Sequence, residues 1–132
     1  MTHKVDKKIM VRTSFRGTHN WPEASQFAGD EVSFLEARHR HTFHVKAELA
    51  VSDSDREVEF FVFQEQIDKA ILHCYGQGRD QLVYNLNRRS CETISEEIIN
   101  ALRSLHGYKG TLSVEVWEDN EVGASVTSHV ED

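Results

Sequence analysis

The sequence predicts an α+β domain in which two helices cover one face of an antiparallel sheet. Three observations predict it: two stretches near the N-terminus that alternate apolar and polar residues, two later segments with apolar residues at helical spacing, and a further alternating stretch after them. The chain has 132 residues, 39% hydrophobic and 28% charged, with a single proline. That composition belongs to an ordinary globular protein, and one domain over residues 1–132 is expected, burying roughly two thirds of the surface of its unfolded chain.

In the first strand, Ile9, Val11, Thr13, Phe15, Gly17 and His19 alternate with Arg12, Ser14, Arg16 and Thr18, so His19 closes the inward face. Residues 20–37 hold Trp21-Pro22 and Gly29-Asp30 and read as a long loop, a length often tied to function. The second strand is the clearest: His39, His41, Phe43, Val45, Ala47, Leu49 and Val51 share one face, against Arg40, Thr42, His44, Lys46 and Glu48. Ser52-Asp53-Ser54-Asp55 is a polar turn, and Val58 to Phe63 is a short β-rich run leading into a helix.

Phe63, Ile67, Ile71 and Cys74 then sit at helical spacing until Gly76 and Gly78 stop the pattern. A second helix is predicted from Thr93, where Thr93-Ile94-Ser95-Glu96 forms a capping box, with Ile98, Leu102 and Leu105 as its buried stripe and Gly107 as its stop. Leu112, Val114 and Val116 alternate with Ser113, Glu115 and Trp117 in another strand, and Glu118 continues the apolar parity. A last strand is expected over Ala124 to His129.

The net charge of -7 is spread along the chain, which leaves no basic field to hold a phosphate backbone and argues against nucleic acid as a partner. No long apolar run suits a membrane span, and no apolar leader core is present. Cys74 and Cys91 lack C-x-x-C spacing, so both thiols are expected free in a reducing, cytoplasmic compartment. Cys91, just ahead of a predicted helix, is the better candidate for a reactive thiol, against the alternative of a small core residue.

Same-face residues of adjacent antiparallel strands lie within about 5 Å of each other, so pairing of the first two strands brings His19 to His39 and His41. Three neutral imidazoles with a fourth position open make the pattern of a catalytic zinc site; three satisfied histidines at a sheet end are the alternative. Arg38, Arg40 and Lys46 share the opposite parity. They form a cationic stripe that either reaches a substrate phosphate or faces solvent or another subunit.

These residues resemble the 6-pyruvoyl-tetrahydropterin synthase and 6-carboxytetrahydropterin synthase family, over most of the chain. Phe15-Arg16-Gly17-Thr18-His19 is similar to the family's F-x-A-x-H, with glycine for alanine, and His39-Arg40-His41-Thr42-Phe43 to its H-G-H and following aromatic, with Arg40 for glycine. Glu59-Phe60 resembles an acidic-aromatic pair entering the first helix, and Leu86-Asn87 a Leu-Asn pair. Glu92-Thr93-Ile94-Ser95-Glu96 loosely resembles a Pro-Thr-x-Glu helix start, and Val116-Trp117-Glu118-Asp119 the segment whose glutamate holds the pterin.

The resemblance implies the T-fold, a homohexamer of two stacked trimers with pockets shared between subunits, Zn(2+) on His19, His39 and His41, and a pterin-like ligand bound by Glu118 and Thr93. A carboxylate accepts two parallel N–H bonds from such a ring.

Two departures qualify the implied activity. Leu35 stands where the family's catalytic cysteine falls, and Leu82 and Val83 stand where its Asp-His pair falls. Neither side chain type transfers protons, so the standard synthase reaction is expected to be absent or very slow. Glu36 matches the glutamate that replaces the cysteine in a side-chain-cleaving subgroup, and it is the provisional catalytic base, against the alternative of a loop carboxylate near Arg38 and Arg40. Two functional readings follow: a divergent zinc-dependent lyase acting on dihydroneopterin triphosphate, and an inactive homologue that binds a pterin or purine-like ligand, with or without metal. His73, His106 and His129 take no assigned role, with His73 as the alternative stand-in for the lost proton-transfer histidine.

Overall fold

The computed structural model describes residues 5–52, 57–76 and 82–131. Its five strands are β1 (Lys7–His19), β2 (His39–Val51), β3 (Val83–Asn85), β4 (Gly110–Glu118) and β5 (Val122–Val130), in the sheet order β3-β1-β2-β4-β5. All pairs are antiparallel except β1 with the short β3, which is parallel. Helices α2 (Phe60–Tyr75) and α3 (Cys91–His106) pack on each other and on one face of the sheet.

That face is the alternating apolar set. Val11, Phe43, Val45, Ala47, Leu49, Leu112, Val114 and Val116 are buried from the strands, and Phe63, Ile67, Ile71, Ile94, Ile98 and Leu102 meet them from the helices. The opposite parity keeps Arg12, Arg16, Arg40 and Lys46 away from the helices, with Arg12 directly across from Lys46. The cationic stripe therefore gains two members from β1, while Lys46 sits over the Trp117 ring at 5.5 Å and Arg38 lies just before β2.

Several expectations need correction. Residues 20–37 carry a short helix α1 (Ala24–Ala28) and a 3-10 helix (Asp30–Glu36), joined by Gly29 at φ 92°. Elements this short show no periodicity. The β-rich run from Val58 is not a strand: Glu59 accepts from the Val62 amide at 2.8 Å and starts α2 at Phe60. Phe60, Phe61 and Val62 stay exposed there, while Phe63 and Ile67 bury on the helix. The third strand is Val83–Asn85 instead.

Helix α3 begins two residues before Thr93, capped by Ser90, whose hydroxyl accepts from the Thr93 amide at 3.2 Å. Ile94 and Ile98 form its buried stripe with Leu102, whereas Leu105 is exposed. Gly107 ends it in the left-handed region at φ 68°. The polar turn at residues 53–56 and the stop at Gly78 lie outside the described residues.

Candidate metal and ligand site

The register of β1 against β2 places His19 opposite His39 and Gly17 opposite His41, which stacks three imidazoles at one end of the sheet. Their ring centroids are 4.6, 5.4 and 4.9 Å apart for His19–His39, His19–His41 and His39–His41. One ligand atom from each lies within 4.8 Å of the others. Gly17 permits the close approach beneath them. A Cβ at that position would meet Leu86 Cδ1 at 2.7 Å and the Phe43 ring at 3.1 Å.

Each imidazole uses its Nδ1 elsewhere. His19 Nδ1 meets the Arg89 carbonyl at 2.9 Å, His39 Nδ1 the Ala37 carbonyl at 2.9 Å, and His41 Nδ1 the Asp119 carboxylate at 2.6 Å. These partners accept only, so in neutral imidazoles Nδ1 donates and Nε2 turns its lone pair to the centre. This is the outer-sphere arrangement that orients metal-binding histidines. His39 Nε2 is buried with no partner, the expected signature of an atom shaped to bind something else. The residues fit Zn(2+).

The outer partners are themselves braced. Arg89 donates through Nε to Glu97 at 2.7 Å and lies over the Tyr75 ring at 5.3 Å, and the Tyr75 hydroxyl donates to the same Glu97 oxygen at 2.9 Å. Burial first, and then Glu97, raise the Tyr75 pKa and keep it a donor. Asp119 also accepts from the Thr42 amide at 2.9 Å and donates its own amide to the Thr42 carbonyl at 2.8 Å. It starts a tight turn with Asp119 and Asn120 both left-handed, at φ 53° and 62°.

Glu118, on the parity predicted, reaches the same cluster. Its oxygens lie 3.3 Å from His19 Nε2 and 3.5 Å from His41 Nε2, against one edge of the triad. The His19 contact lowers the Glu118 pKa despite burial, with the His41 charge adding to it. Burial alone would lower the His19 pKa, but the Glu118 and Arg89 hydrogen bonds and the Glu118 charge outweigh it and leave it raised.

Beside the triad opens a cavity of about 570 Å³, ample for a small heterocycle. His19, His39 and Glu118 line it together with Trp21, Phe27 and Leu35. The segment 20–37 thus walls the site. Its two ends are tied down by Trp21 N–H to the Leu35 carbonyl at 2.7 Å and by Asn20 N–H to the Asn87 carbonyl at 2.9 Å.

Cys91 lies on the cavity wall with its thiol 3.7 Å from Glu118. Burial and then the Glu118 charge push that thiol up to about 12, which outweighs its place at a helix start and makes it a poor nucleophile. Both cysteines are free.

The other predicted residues fall outside this cluster. The Glu36 carboxylate accepts from the Ser25 amide at 2.9 Å and from the Ser25 hydroxyl, which together lower its pKa, and the neighbouring Leu35 faces the cavity in its place. Thr93 is exposed, its hydroxyl accepting from Ser90 at 3.1 Å, one turn from the cavity wall formed by Ser90, Cys91 and Glu92. Exposed His73 on α2, His106 and His129 do not line the cavity. Asp119, Arg89 and Ala37 were missed by sequence reasoning. Asp119 carried a weak signal as the acidic residue of a turn after Glu118, but the two carbonyls carried none.

The fold and site together define an α+β sheet protein with a histidine triad and a carboxylate at the mouth of a heterocycle-sized cavity. By sequence the chain matches no family model and no curated protein. By structure it has the T-fold of the 6-pyruvoyl tetrahydropterin synthases, at low identity. The Plasmodium falciparum synthase superposes with a TM-score of 0.67 at 16% identity, over 96% of this chain and 100% of that one. The Caenorhabditis elegans synthase does so at 0.63 and 12%, over 97% and 99%. The Plasmodium vivax synthase, in a form with a catalytic glutamate replaced by alanine, gives 0.67 and 15%, over 96% and 100%.

Proposed function

We propose that this protein binds a pterin-like ring beside a Zn(2+) ion held by His19, His39 and His41, and that it acts as a divergent lyase on dihydroneopterin triphosphate. The single observation that carries the reading is the convergence of three Nε2 atoms, one of them buried and unpartnered, with Glu118 at one cavity. The likeness in fold to pterin synthases points to the ring. When bound, the zinc supplies a Lewis acid that polarises a substrate oxygen.

In this reading the chain's own groups divide the work. Glu118 accepts the paired N–H groups of the ring and fixes its orientation, with Thr93 assisting at the start of α3. Trp21, Phe27 and Leu35 exclude water from the ring's edge. Glu36 is the base: ionised as held by Ser25, it takes a proton after exchanging those hydrogen bonds for the substrate. A catalytic glutamate in the P. vivax synthase supports that choice. The assembly is a homohexamer of two stacked trimers in the cytoplasm, with no nucleic-acid or membrane partner. Among the described residues no helix is long and apolar enough to cross a membrane.

A second reading is favoured by Leu35, which presents an apolar side chain to the cavity at the position of the family's cysteine. In it the protein is an inactive homologue that binds a pterin or purine-like ligand without turnover. Metal analysis comes first: one zinc per chain, lost in His39→Ala, supports the site, and zinc-free folded protein refutes the lyase. Incubation with dihydroneopterin triphosphate then separates the readings. A product that disappears in Glu36→Gln supports the lyase, whereas ring binding lost in Glu118→Ala with no product supports the inactive homologue.

A further inference from the structure

We infer that Arg88 is the anion anchor of the cavity, taking a phosphate on the tail of the ring ligand, and that Glu23 occupies it as an internal stand-in until that ligand binds. The inference rests on the ring-binding reading above, in either of its two versions, and adds to it the residue that selects a phosphorylated ligand. Its basis is that two arginines line the cavity and only one is placed to change partners. Arg89 donates through Nε to Glu97 at 2.7 Å, reaches the Leu86 carbonyl through Nη1 at 3.4 Å and lies over the buried Tyr75 ring at 5.3 Å. Those contacts commit its guanidinium to the protein.

Arg88 differs. Its side chain is 64% exposed, and among the described residues its ionic partner is the Glu23 carboxylate, itself 42% exposed. An exposed ion pair of this kind contributes little and exchanges readily. A phosphate presents the guanidinium with the same paired oxygens and more negative charge, so it displaces a carboxylate there.

The backbone around the pair is held without it. Arg88 stands in a turn where the Arg89 amide donates to the Leu86 carbonyl at 3.0 Å, just after Asn87 in the left-handed region at φ 54°. Beside that turn the Asn20 amide donates to the Asn87 carbonyl at 2.9 Å, and the Trp21 amide to the Leu35 carbonyl at 2.7 Å. These bonds keep segment 20–37 in place when Glu23 lets go. Glu23 is also the N-cap residue of α1, yet its carboxylate makes no capping bond, so that helix loses nothing by the exchange. The other charges on the lining direct a tail the same way. Glu118 is taken by the ring, and Glu92, on the first turn of α3, repels an anion. Arg88 is left as the cationic corner.

The test uses the whole zinc-loaded protein and two fluorescent probes, neopterin and neopterin triphosphate, whose oxidised ring has no hydrogen at C6 to abstract, so that binding is read without turnover. Wild type should bind the triphosphate about tenfold more tightly than neopterin, the gain expected of a charge-assisted contact. That ratio should fall to about one in Arg88→Ala and rise in Glu23→Gln, which removes the competing carboxylate. A ratio of about one in wild type, a ratio kept in Arg88→Ala, or a ratio that does not rise in Glu23→Gln overturns the inference while the ring reading stands. If wild type binds neither probe, the ring reading and the inference fall together.

Discussion

Replacing Asp119 by asparagine isolates the outer sphere of the metal site. Asparagine tolerates the left-handed backbone at φ 53°, so the turn that carries Glu118 is preserved. What changes is one pair of lone electrons. Asp119 accepts twice, from His41 Nδ1 at 2.6 Å and from the Thr42 amide at 2.9 Å, whereas an asparagine amide accepts on one side only. In one orientation its NH2 faces His41 Nδ1. In the other it faces the Thr42 N–H. The first orientation moves the His41 proton to Nε2, the atom that must bind metal, and the second leaves two donors in opposition.

Loss of such an outer partner typically weakens metal binding about 10- to 100-fold, which is about 1.4–2.7 kcal/mol. Zinc competition against a chromophoric chelator reads this directly, with thermal melts of the metal-free proteins checking that both are folded. An Asp119→Asn affinity within about twofold of wild type would refute the argument that Asp119 sets the His41 tautomer.

Three further outcomes follow from the same geometry. Gly17→Ala places a methyl 2.7 Å from Leu86 Cδ1 in a fully buried contact and should cost about 1–3 kcal/mol in urea unfolding; an unchanged midpoint would show that Leu86 yields freely. Ser90→Ala removes the cap of α3 and should cost about 1 kcal/mol by the same assay, and an unchanged midpoint would contradict a capping role for Ser90. Metal-free protein should show a stability contribution from the His19–Glu118 pair between pH 4.5 and 6.5. The raised His19 pKa contributes fully below 6.5 and is lost as pH rises through its folded value, while the lowered Glu118 pKa contributes fully above 4.5 and is lost as pH falls. A melting profile flat across that window, or one unaltered in Glu118→Gln, would remove the pair as its cause.

Where the chain alternates with period two, its sequence alone determined the strands and their inward faces, because a pleated strand sends every second side chain to one side. Parity therefore already held His19, His39, His41 and Glu118 on one face, and β1–β2 pairing then required the three imidazoles to meet. The start of α2 escaped that logic: Phe60 to Val62 have strand propensity, but a Glu59 cap and the burial of Phe63 and Ile67 decided for helix.

The three-residue β3 and the short helices of segment 20–37 were also beyond a periodic reading, since each is briefer than the pattern that would announce it. Only the tertiary structure decided what lies behind the histidines. The carbonyls of Arg89 and Ala37 are backbone atoms that any residue supplies, and Asp119 reaches His41 across 78 positions. Hydrogen bonds between such distant groups depend on the folded path of the chain, and they turn three imidazoles of suitable parity into three lone pairs aimed at one point.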